Sequence, residues 1–399
     1  MQRANVLAHQ AQRNGMMSAD VTRLGAWAFG RGDRRGWLFR GFAAAAAAAM
    51  AAGDGSADSP ISVAFRRVTD TDGEPLRVDS RHPGGRPAVI TALASDRQGR
   101  FLAVACDDRV IRLFELETLA LVTSLVGHHD LIRGLAFDTD GERLASAGND
   151  GQILIWSCQD WDNAPRRYGV GPAITDVRFS PSSDRLAAVG FDDRLRMIRL
   201  GGGATSGDTT MWGCGCHDLR SVAYRPDGRL VAVAGRSGEI ELFELPGEQP
   251  TAVERLAREA PSAKRYPLHR RRIRAIGFQP DGQTLVTAGE DGVVCRFDTE
   301  TRQEISRWRV TRGRLFSLAI IDESYIAVAG SDNAVRILDT DVDRVIHDFS
   351  GHTGSVAALA AGQGWLFSGG YDATLRRWPV EPLRSLQRRI AEGESRLER

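Results

Sequence analysis

From residue 88 onward, short apolar runs of five or six residues alternate with polar turns. The runs are rich in β-branched and aromatic residues, as in Val110–Phe114 and Ile153–Trp156. Runs of this length and composition favour strands over helices. Several are bounded by Asp-Gly pairs that are typical of tight hairpins, at Asp140, Asp227 and Asp281. The pattern therefore predicts short antiparallel strands that follow one another along the chain.

One unit recurs through this region, marked by a small residue two positions before a polar turn. The marker falls at Cys106, Gly148, Gly190, Gly235, Gly289, Gly330 and Gly370. The intervals between successive markers are 42, 42, 45, 54, 41 and 40 residues. Seven units at one period indicate a repeat architecture rather than two or three independent domains.

Each unit contains four predicted strands, the fourth being looser, as in the segment 119–125. A single four-stranded sheet leaves both faces exposed, whereas seven such sheets stacked around an axis bury them. We therefore predict an all-β fold, a seven-bladed β-propeller of four-stranded antiparallel blades over residues 61–380. The predicted units are about 88–126, 127–170, 171–215, 216–265, 266–310, 311–350 and 351–380.

Two units carry dipeptides that resemble those of the WD-repeat (WD40) family. These are Gly127-His128 with Ile155-Trp156, and Gly351-His352 with Arg377-Trp378. The resemblance covers about residues 88–380 and rests on the period and the turn, because no unit has a Trp-Asp pair at the end of its third strand.

The resemblance implies a structural hydrogen-bond set that links a loop His, a second-strand Ser or Thr, a turn Asp and a third-strand Trp. It maps onto His128, Ser146, Asp150 and Trp156; onto His352, Ser368, Asp372 and Trp378; and, in part, onto His269, Thr287 and Asp291. A trio that recurs in several units indicates scaffolding rather than a single hydrolase site. The resemblance further implies a non-catalytic scaffold that binds other proteins or peptides.

The closed ring requires one more strand, because the seventh unit ends near Trp378. The alternating segment 61–68, ISVAFRRV, is the predicted closing strand. The tail 381–399 has apolar residues near one helical face and predicts a short amphipathic helix.

Residues 1–60 lack the repeat and predict either an export signal or a disordered cytoplasmic leader. Arg34-Arg35 precedes an apolar, alanine-rich stretch from Gly41 to Ala52. This order resembles a twin-arginine signal, so we prefer a periplasmic or secreted location over a cytoplasmic one. The apolar stretch is too short and too weakly hydrophobic to predict a transmembrane segment.

Basic residues concentrate in the loops that enter the fifth and sixth units: His269, Arg270, Arg271, Arg272, Arg312 and Arg314. Equivalent loops of adjacent blades emerge on one face, so we expect these residues to form an interaction surface. Guanidinium groups suit phosphate or carboxylate ligands. The alternative to scaffolding is an exported propeller that binds a small or anionic ligand, or an enzyme with a site in the central channel. A second interpretation is a solvated rim whose arginines pair with Asp322, Glu323 or Glu290.

Composition narrows the remaining classes. The 399 residues carry a formal net charge of +1, which removes any global argument for affinity to nucleic acid or membranes. No aromatic row accompanies the basic residues, so nucleic acid is not an expected partner.

The five cysteines do not suggest a disulfide framework, because only Cys214 and Cys216 are close in sequence. With His217 these two cysteines provide at most three soft ligands, so we predict neither a metal nor a cofactor. We expect Cys216-His217 to take the place of the Gly-His pair in the fourth unit. The longer 54-residue interval indicates an insertion at about Pro246–Pro267.

Overall fold

The computed structural model describes residues 75–78, 86–169, 171–200, 209–245 and 263–380. These residues form 28 strands in seven four-stranded sheets, joined by turns and loops. No helix in this part of the chain is long and apolar enough to span a membrane.

The first strand, β1, is Leu76–Arg77, and the next sixteen form blades 1 to 4. Blade 1 contains β2 Ile90–Ser95, β3 Phe101–Cys106, β4 Val110–Glu115 and β5 Leu121–Val126. Blade 2 contains β6 Ile132–Phe137, β7 Arg143–Gly148, β8 Gln152–Ser157 and β9 Arg166–Gly169. Blade 3 contains β10 Ile174–Phe179, β11 Arg185–Gly190, β12 Arg194–Arg199 and β13 Thr209–Gly213. Blade 4 contains β14 Ser221–Tyr224, β15 Leu230–Ala234, β16 Glu239–Glu244 and β17 Ala263–Pro267.

The remaining strands form blades 5 to 7. Blade 5 contains β18 Ile273–Phe278, β19 Thr284–Gly289, β20 Val293–Asp298 and β21 Gln303–Arg309. Blade 6 contains β22 Leu315–Ile320, β23 Tyr325–Gly330, β24 Val335–Asp339 and β25 Arg344–Phe349. Blade 7 contains β26 Val356–Gly362, β27 Trp365–Gly370 and β28 Thr374–Pro379, with β1 as its outermost strand.

Within each blade the strands pair antiparallel in chain order, and the first strand lies innermost. Each inner strand contacts the inner strand of the next blade, and β26 contacts β2, so the seven blades close into a ring. The predicted seven-bladed all-β propeller is therefore confirmed. The observed strands of each blade fall within its predicted unit with two exceptions. Strand β17 extends to Pro267, and β1 of blade 7 lies before the first unit.

The hydrophobic core lies between the blades. Each of seven buried clusters joins two neighbours: Ile153 of blade 2, for example, packs in one cluster with Ile174 and Leu186 of blade 3. A middle strand is covered on both faces, which is why every residue of β19 is buried and why its sequence lacks strict alternation. Burial between sheets thus supplies the stability that a single blade lacks.

Ring closure uses a different segment from the one predicted. The strand that pairs with β28 is β1, with Leu76 opposite Leu375 and Arg77 opposite Thr374. Val78 is buried against this pairing, in a cluster with Ile90 and Leu375. The closing strand is only two residues long. It is too short to show the alternation of apolar and polar residues on which the prediction of 61–68 rested. The segment 61–68 lies outside the described residues.

Several other sequence predictions also fall outside the described residues. These are the leader at 1–60, the amphipathic helix at 381–399 and the part of the blade 4 insertion at 246–262. The final residues of that predicted insertion, Ala263–Pro267, form β17, the outermost strand of blade 4. The segment that the sequence predicted as an insertion is therefore partly a strand of blade 4.

Candidate functional site

The ring has two faces that differ in which loops they display. The upper face is the one that carries the loops leading into the inner strands. The turns between the second and third strands of each blade lie on the same face. Backbone bonds join these two kinds of loop: Asn149 N donates to Leu131 O at 2.9 Å in blade 2. The lower face bears the turns between first and second strands and between third and fourth strands.

Blades 2 and 7 contain the complete side-chain set expected from the sequence. His128 Nδ1 lies 2.9 Å from Asp150 Oδ2, and His128 Nε2 lies 2.8 Å from Ser146 Oγ. Trp156 Nε1 donates to the same Ser146 oxygen at 3.0 Å. The corresponding distances for His352, Ser368, Asp372 and Trp378 are 2.9, 2.7 and 2.7 Å.

The proton positions in these sets follow from the partners. The Asp carboxylate only accepts, so the His Nδ1–H donates to it, and the Ser hydroxyl donates to His Nε2 while it accepts from Trp Nε1–H. This arrangement uses a neutral imidazole. Burial lowers the pKa of His128 and His352 and outweighs the opposing effect of the adjacent aspartates. Backbone N–H and His donors hold the pKa of Asp150 and Asp372 below the ordinary range, although burial acts in the other direction.

Blade 5 has the partial set. His269 lies 2.9 Å from Asp291 Oδ1 and 2.8 Å from Thr287 Oγ1. Phe297 occupies the Trp position and has no N–H to donate, and the Thr287 hydroxyl lies 3.3 Å from the Cys295 carbonyl oxygen.

Blades 1, 3 and 6 anchor the turn Asp differently. In each, an Arg four residues further along the chain binds it: Asp108 with Arg112, Asp192 with Arg196, and Asp332 with Arg336. Arg196 is almost completely buried, at 1% exposure. Our sequence analysis missed this alternative, although the spacing Asp-x-x-x-Arg from turn to third strand was visible in all three units.

Comparison with known proteins agrees with this geometry. The family model described as WD domain, G-beta repeat matches residues 73–115, 119–157, 262–298 and 343–379. A solved β-propeller domain, Cps50 (Swd1) of Myceliophteria thermophila, aligns with a TM-score of 0.63 and 16% identity, covering 77% of this chain and 99% of that one. The chain is a seven-bladed β-propeller that contains four WD repeats.

Curated relatives of the propeller are similar over single parts of it. The LST8 homolog of Drosophila melanogaster is 32% identical over 23% of this chain and 26% of its own length. Autophagy-related protein 16 of Arabidopsis thaliana is 28% identical over 30% of this chain and 24% of its own. Groucho of Drosophila melanogaster is 27% identical over 29% of this chain and 16% of its own. The alignments therefore span about a quarter or less of each relative's own length.

The basic residues predicted as an interaction surface all lie on the upper face of the propeller. The turn between β19 and β20 joins their two loops, since Glu290 N donates to Arg272 O at 2.8 Å and Val310 N donates to Gly292 O at 2.9 Å. His269 is buried in the blade 5 set, while the side chains of Arg270, Arg271, Arg312 and Arg314 are exposed. These four exposed arginines are named the rim arginines below.

The predicted acidic partners divide between the two faces. Arg272 lies 3.4 Å from Glu290 and also binds Asp218 at 2.8 Å. Asp322 and Glu323 occupy the turn between β22 and β23 on the lower face, so the predicted pairing with the upper-face arginines is wrong for both. The error arose because these residues are near in sequence, whereas a full strand length separates the two faces.

The segment around His217 differs from the expectation. His217 is exposed and binds Asp193 of the preceding blade at 2.9 Å, so it does not take the place of the blade His. Cys216 is buried instead, 3.9 Å from Glu241. In the part of the chain that the structure describes, no three His, Cys, Asp or Glu side chains are placed to hold a metal ion.

A cavity of about 380 Å³ lies at the upper end of the central channel. Its wall includes one residue from the start of each inner strand, namely Thr91, Arg133, Thr175, Arg220, Arg274, Phe316 and Ala357. In six blades this residue is the second of its inner strand, and the pairing with the next strand shifts register between the first and third residues, as between Ile132 and Gly134. A bulge of this kind redirects a side chain, and here it brings Arg133 and Arg274 to the axis. We call this cavity the channel mouth.

Aromatic rings hold the arginines of the channel mouth in place. The Arg220 and Arg133 guanidinium carbons lie 4.4 and 5.6 Å from the centre of the Phe191 ring. Arg274 lies 5.4 Å from the Phe316 ring. A guanidinium that stacks on a ring uses its face, so its N–H edges stay available for an acceptor.

Positive charge at the channel mouth exceeds the nearby negative charge. Arg220 and Arg272 share Asp218, at 3.1 and 2.8 Å, and Arg274 lies 3.9 Å from Glu290. Burial lowers the pKa of Arg220 and Arg274, and neighbouring guanidiniums lower it further, although Asp218 and Glu290 act against this. Arg133, Arg220 and Arg274 are not among the residues singled out from the sequence, and the structure brings them to the axis.

Proposed function

We propose that the propeller is a non-catalytic scaffold that docks partner proteins or peptides on its upper face. The observation that carries this proposal is the position of the rim arginines, which are exposed on the loops of two adjacent blades. Exposed arginines around a rigid ring provide forked donors for carboxylates or backbone carbonyls of a partner. The four WD repeats support the same function.

The buried His sets support scaffolding over hydrolysis. Ser146 and Ser368 are fully buried, and each hydroxyl is held between a His and a Trp. A nucleophile needs access to substrate, which these hydroxyls lack. The same set in two blades stabilises two turns, and this is a structural task.

The test is quantitative affinity capture with the full chain and face-specific variants. The upper-face variant carries Arg270→Gln, Arg271→Gln, Arg312→Gln and Arg314→Gln. The matched lower-face control carries Arg97→Gln and Arg229→Gln, both exposed in turns of the other face. We expect one or more partners to be recovered by the wild type and the control, and to be depleted with the upper-face variant.

A partner that all three proteins recover equally would contradict docking through the rim arginines. Turnover of a substrate by the purified chain, lost in a variant of the channel mouth, would contradict the non-catalytic assignment. Equal far-ultraviolet circular dichroism spectra for the three proteins would show that the substitutions leave the fold intact.

We further propose export through the twin-arginine-like segment around Arg34-Arg35. The supporting pattern is the basic pair followed by a weakly apolar stretch. Mass spectrometry of the mature N-terminus is the measurement. Cleavage near Ala51 is the expected result, and an intact leader on a cytoplasmic protein would contradict it.

A further inference from the structure

The channel mouth has the composition of an anion site. Arg133, Arg220 and Arg274 reach it from three different blades, and Arg272 stands behind them in contact with Asp218 and Glu290. The carboxylate that lines the cavity wall, Asp107, is bound by Arg86 at 3.0 Å. Counting Asp218 and Glu290 against the four guanidiniums leaves a local excess of two positive charges beside the cavity.

The donors also outnumber the acceptors. The Nε–H groups of Arg220 and Arg272 are buried without a hydrogen-bond partner in the described part of the chain. Asp218 accepts from both arginines through one oxygen, Oδ2. An oxyanion in the cavity would provide negative charge beside these incompletely hydrogen-bonded guanidiniums.

The number and directions of the donors discriminate between oxyanions. A single planar carboxylate is satisfied by one Arg fork and carries one negative charge. A phosphate monoester carries about −1.5 to −2 charge near neutral pH and presents three oxygens in different directions. Arginines that arrive from blades 2, 4 and 5 match the second geometry and the charge excess of two.

We propose that the channel mouth binds a phosphate monoester group. A cavity of about 380 Å³ is larger than the phosphate itself, so it also accepts the beginning of the molecule that bears the group. Phe316 and Tyr371 line the cavity beside the arginines and supply apolar contacts for that molecule. The proposal is independent of the scaffold function, because it concerns the cavity and not the rim arginines.

The experiment is a calorimetric titration of the full chain with inorganic phosphate near neutral pH, with sodium chloride adjusted to keep the ionic strength constant. Thermal unfolding in the same solutions gives a second readout. We expect phosphate to bind and to raise the unfolding temperature, and we expect acetate, a monoanion, to bind at least about tenfold more weakly. No heat and no stabilisation with phosphate, or equal binding of acetate, would overturn the proposal.

Variants locate the binding. Arg220→Gln and Arg274→Gln should each weaken phosphate binding by about tenfold or more while the fold is retained, since each relieves repulsion among buried cations. The matched control, Arg312→Gln with Arg314→Gln, removes two charges from the same face outside the channel mouth and should leave the affinity within about twofold. An equal loss in the control would mean general attraction to a basic face and would overturn the site.

A last comparison identifies the source of the group. Free phosphoserine and phosphoserine peptides are titrated in parallel with the same variants. Equal affinities would indicate a small phosphorylated metabolite, and tighter binding of peptides would indicate a phosphorylated partner. A wild-type chain that captures no partner and still binds phosphate would count against the scaffold function alone.

Discussion

At the scale of single residues, the propeller secures the same turn with two different chemistries. Three blades use a buried His between a turn Asp and a strand hydroxyl, and three use a direct Asp–Arg pair. Both solutions give a carboxylate hydrogen-bond donors at a position where burial would otherwise be costly. Only the first corresponds to a family motif, and the Asp-x-x-x-Arg spacing of the second acquires its meaning from the structure.

The hydroxyl at the centre of a complete set should contribute more than the one in the partial set. Ser146→Ala leaves both His128 Nε2 and the buried Trp156 N–H without their partner, and we expect a loss of about 2–3 kcal/mol in the free energy of unfolding. Thr287→Val is the matched comparison, since Phe297 donates no hydrogen bond there, and should cost about 1 kcal/mol. Urea denaturation of the two variants measures the difference. Equal losses would show that the Trp N–H contributes nothing.

The buried histidines predict a pH dependence with a definite sign. Burial lowers the pKa of His128 and His352 in the folded state, so the unfolded chain takes up protons first as the pH falls below about 6.5. Stability should therefore decline from about pH 6.5 downward, by at most about 1.4 kcal/mol per pH unit for each histidine. The lowered pKa values of Asp150 and Asp372 preserve their contribution until the pH falls below about 4.

Urea midpoints at neutral and mildly acidic pH test this prediction. The double variant His128→Asn/His352→Asn should lose less stability on acidification than the wild type, although it starts from a lower value. His129→Asn is the control, because this side chain is exposed one residue away. The same acid-dependent loss in wild type and double variant would assign the effect to other groups.

At the scale of elements, the period and the turns were sufficient to predict the blades, and the departures have local causes. Alternation along β6 places Arg133 on the opposite side of the strand from Ile132. The register shift between Ile132 and Gly134 instead turns Arg133 to the axis, and sequence periodicity carries no sign of such a bulge. The channel mouth was therefore unpredictable from the pattern, whereas the His sets were predictable from the motif.

Closure of the ring depends on the segment that contains β1. Val78 is 3% exposed, so Val78→Asp places an unpaired charge between blades 7 and 1 and should cost about 3 kcal/mol or more. Val122→Asp is the control, because Val122 is 47% exposed on the outer strand β5. Thermal unfolding measures both, and Val78→Ala gives a milder version if Val78→Asp does not fold. Equal unfolding temperatures for both aspartate variants would contradict closure by this segment.

At the scale of the whole molecule, the ring shields its thiols. All five cysteines are free and buried, and they lie in blades 1 to 5. Burial raises the pKa of Cys106 and Cys158 to about 12, so almost no thiolate is present near neutral pH. Reactivity of these thiols should therefore report opening of the blades.

An aromatic disulfide reagent in mild base should label the folded wild type slowly and the denatured chain completely. Ser350→Cys adds a thiol at an exposed position and is the positive control, with one rapid equivalent expected. Rapid labelling of the folded wild type would mean that at least one blade boundary opens without global unfolding.

The outer strand of blade 4 has a practical consequence. Lys264 is the only lysine of the chain, and it lies exposed on β17. Reagents that acylate side-chain amines therefore have one target, at the circumference of the ring. Coupling through this amine would attach the molecules to a sensor surface in one orientation, with both faces and the central opening accessible to solution.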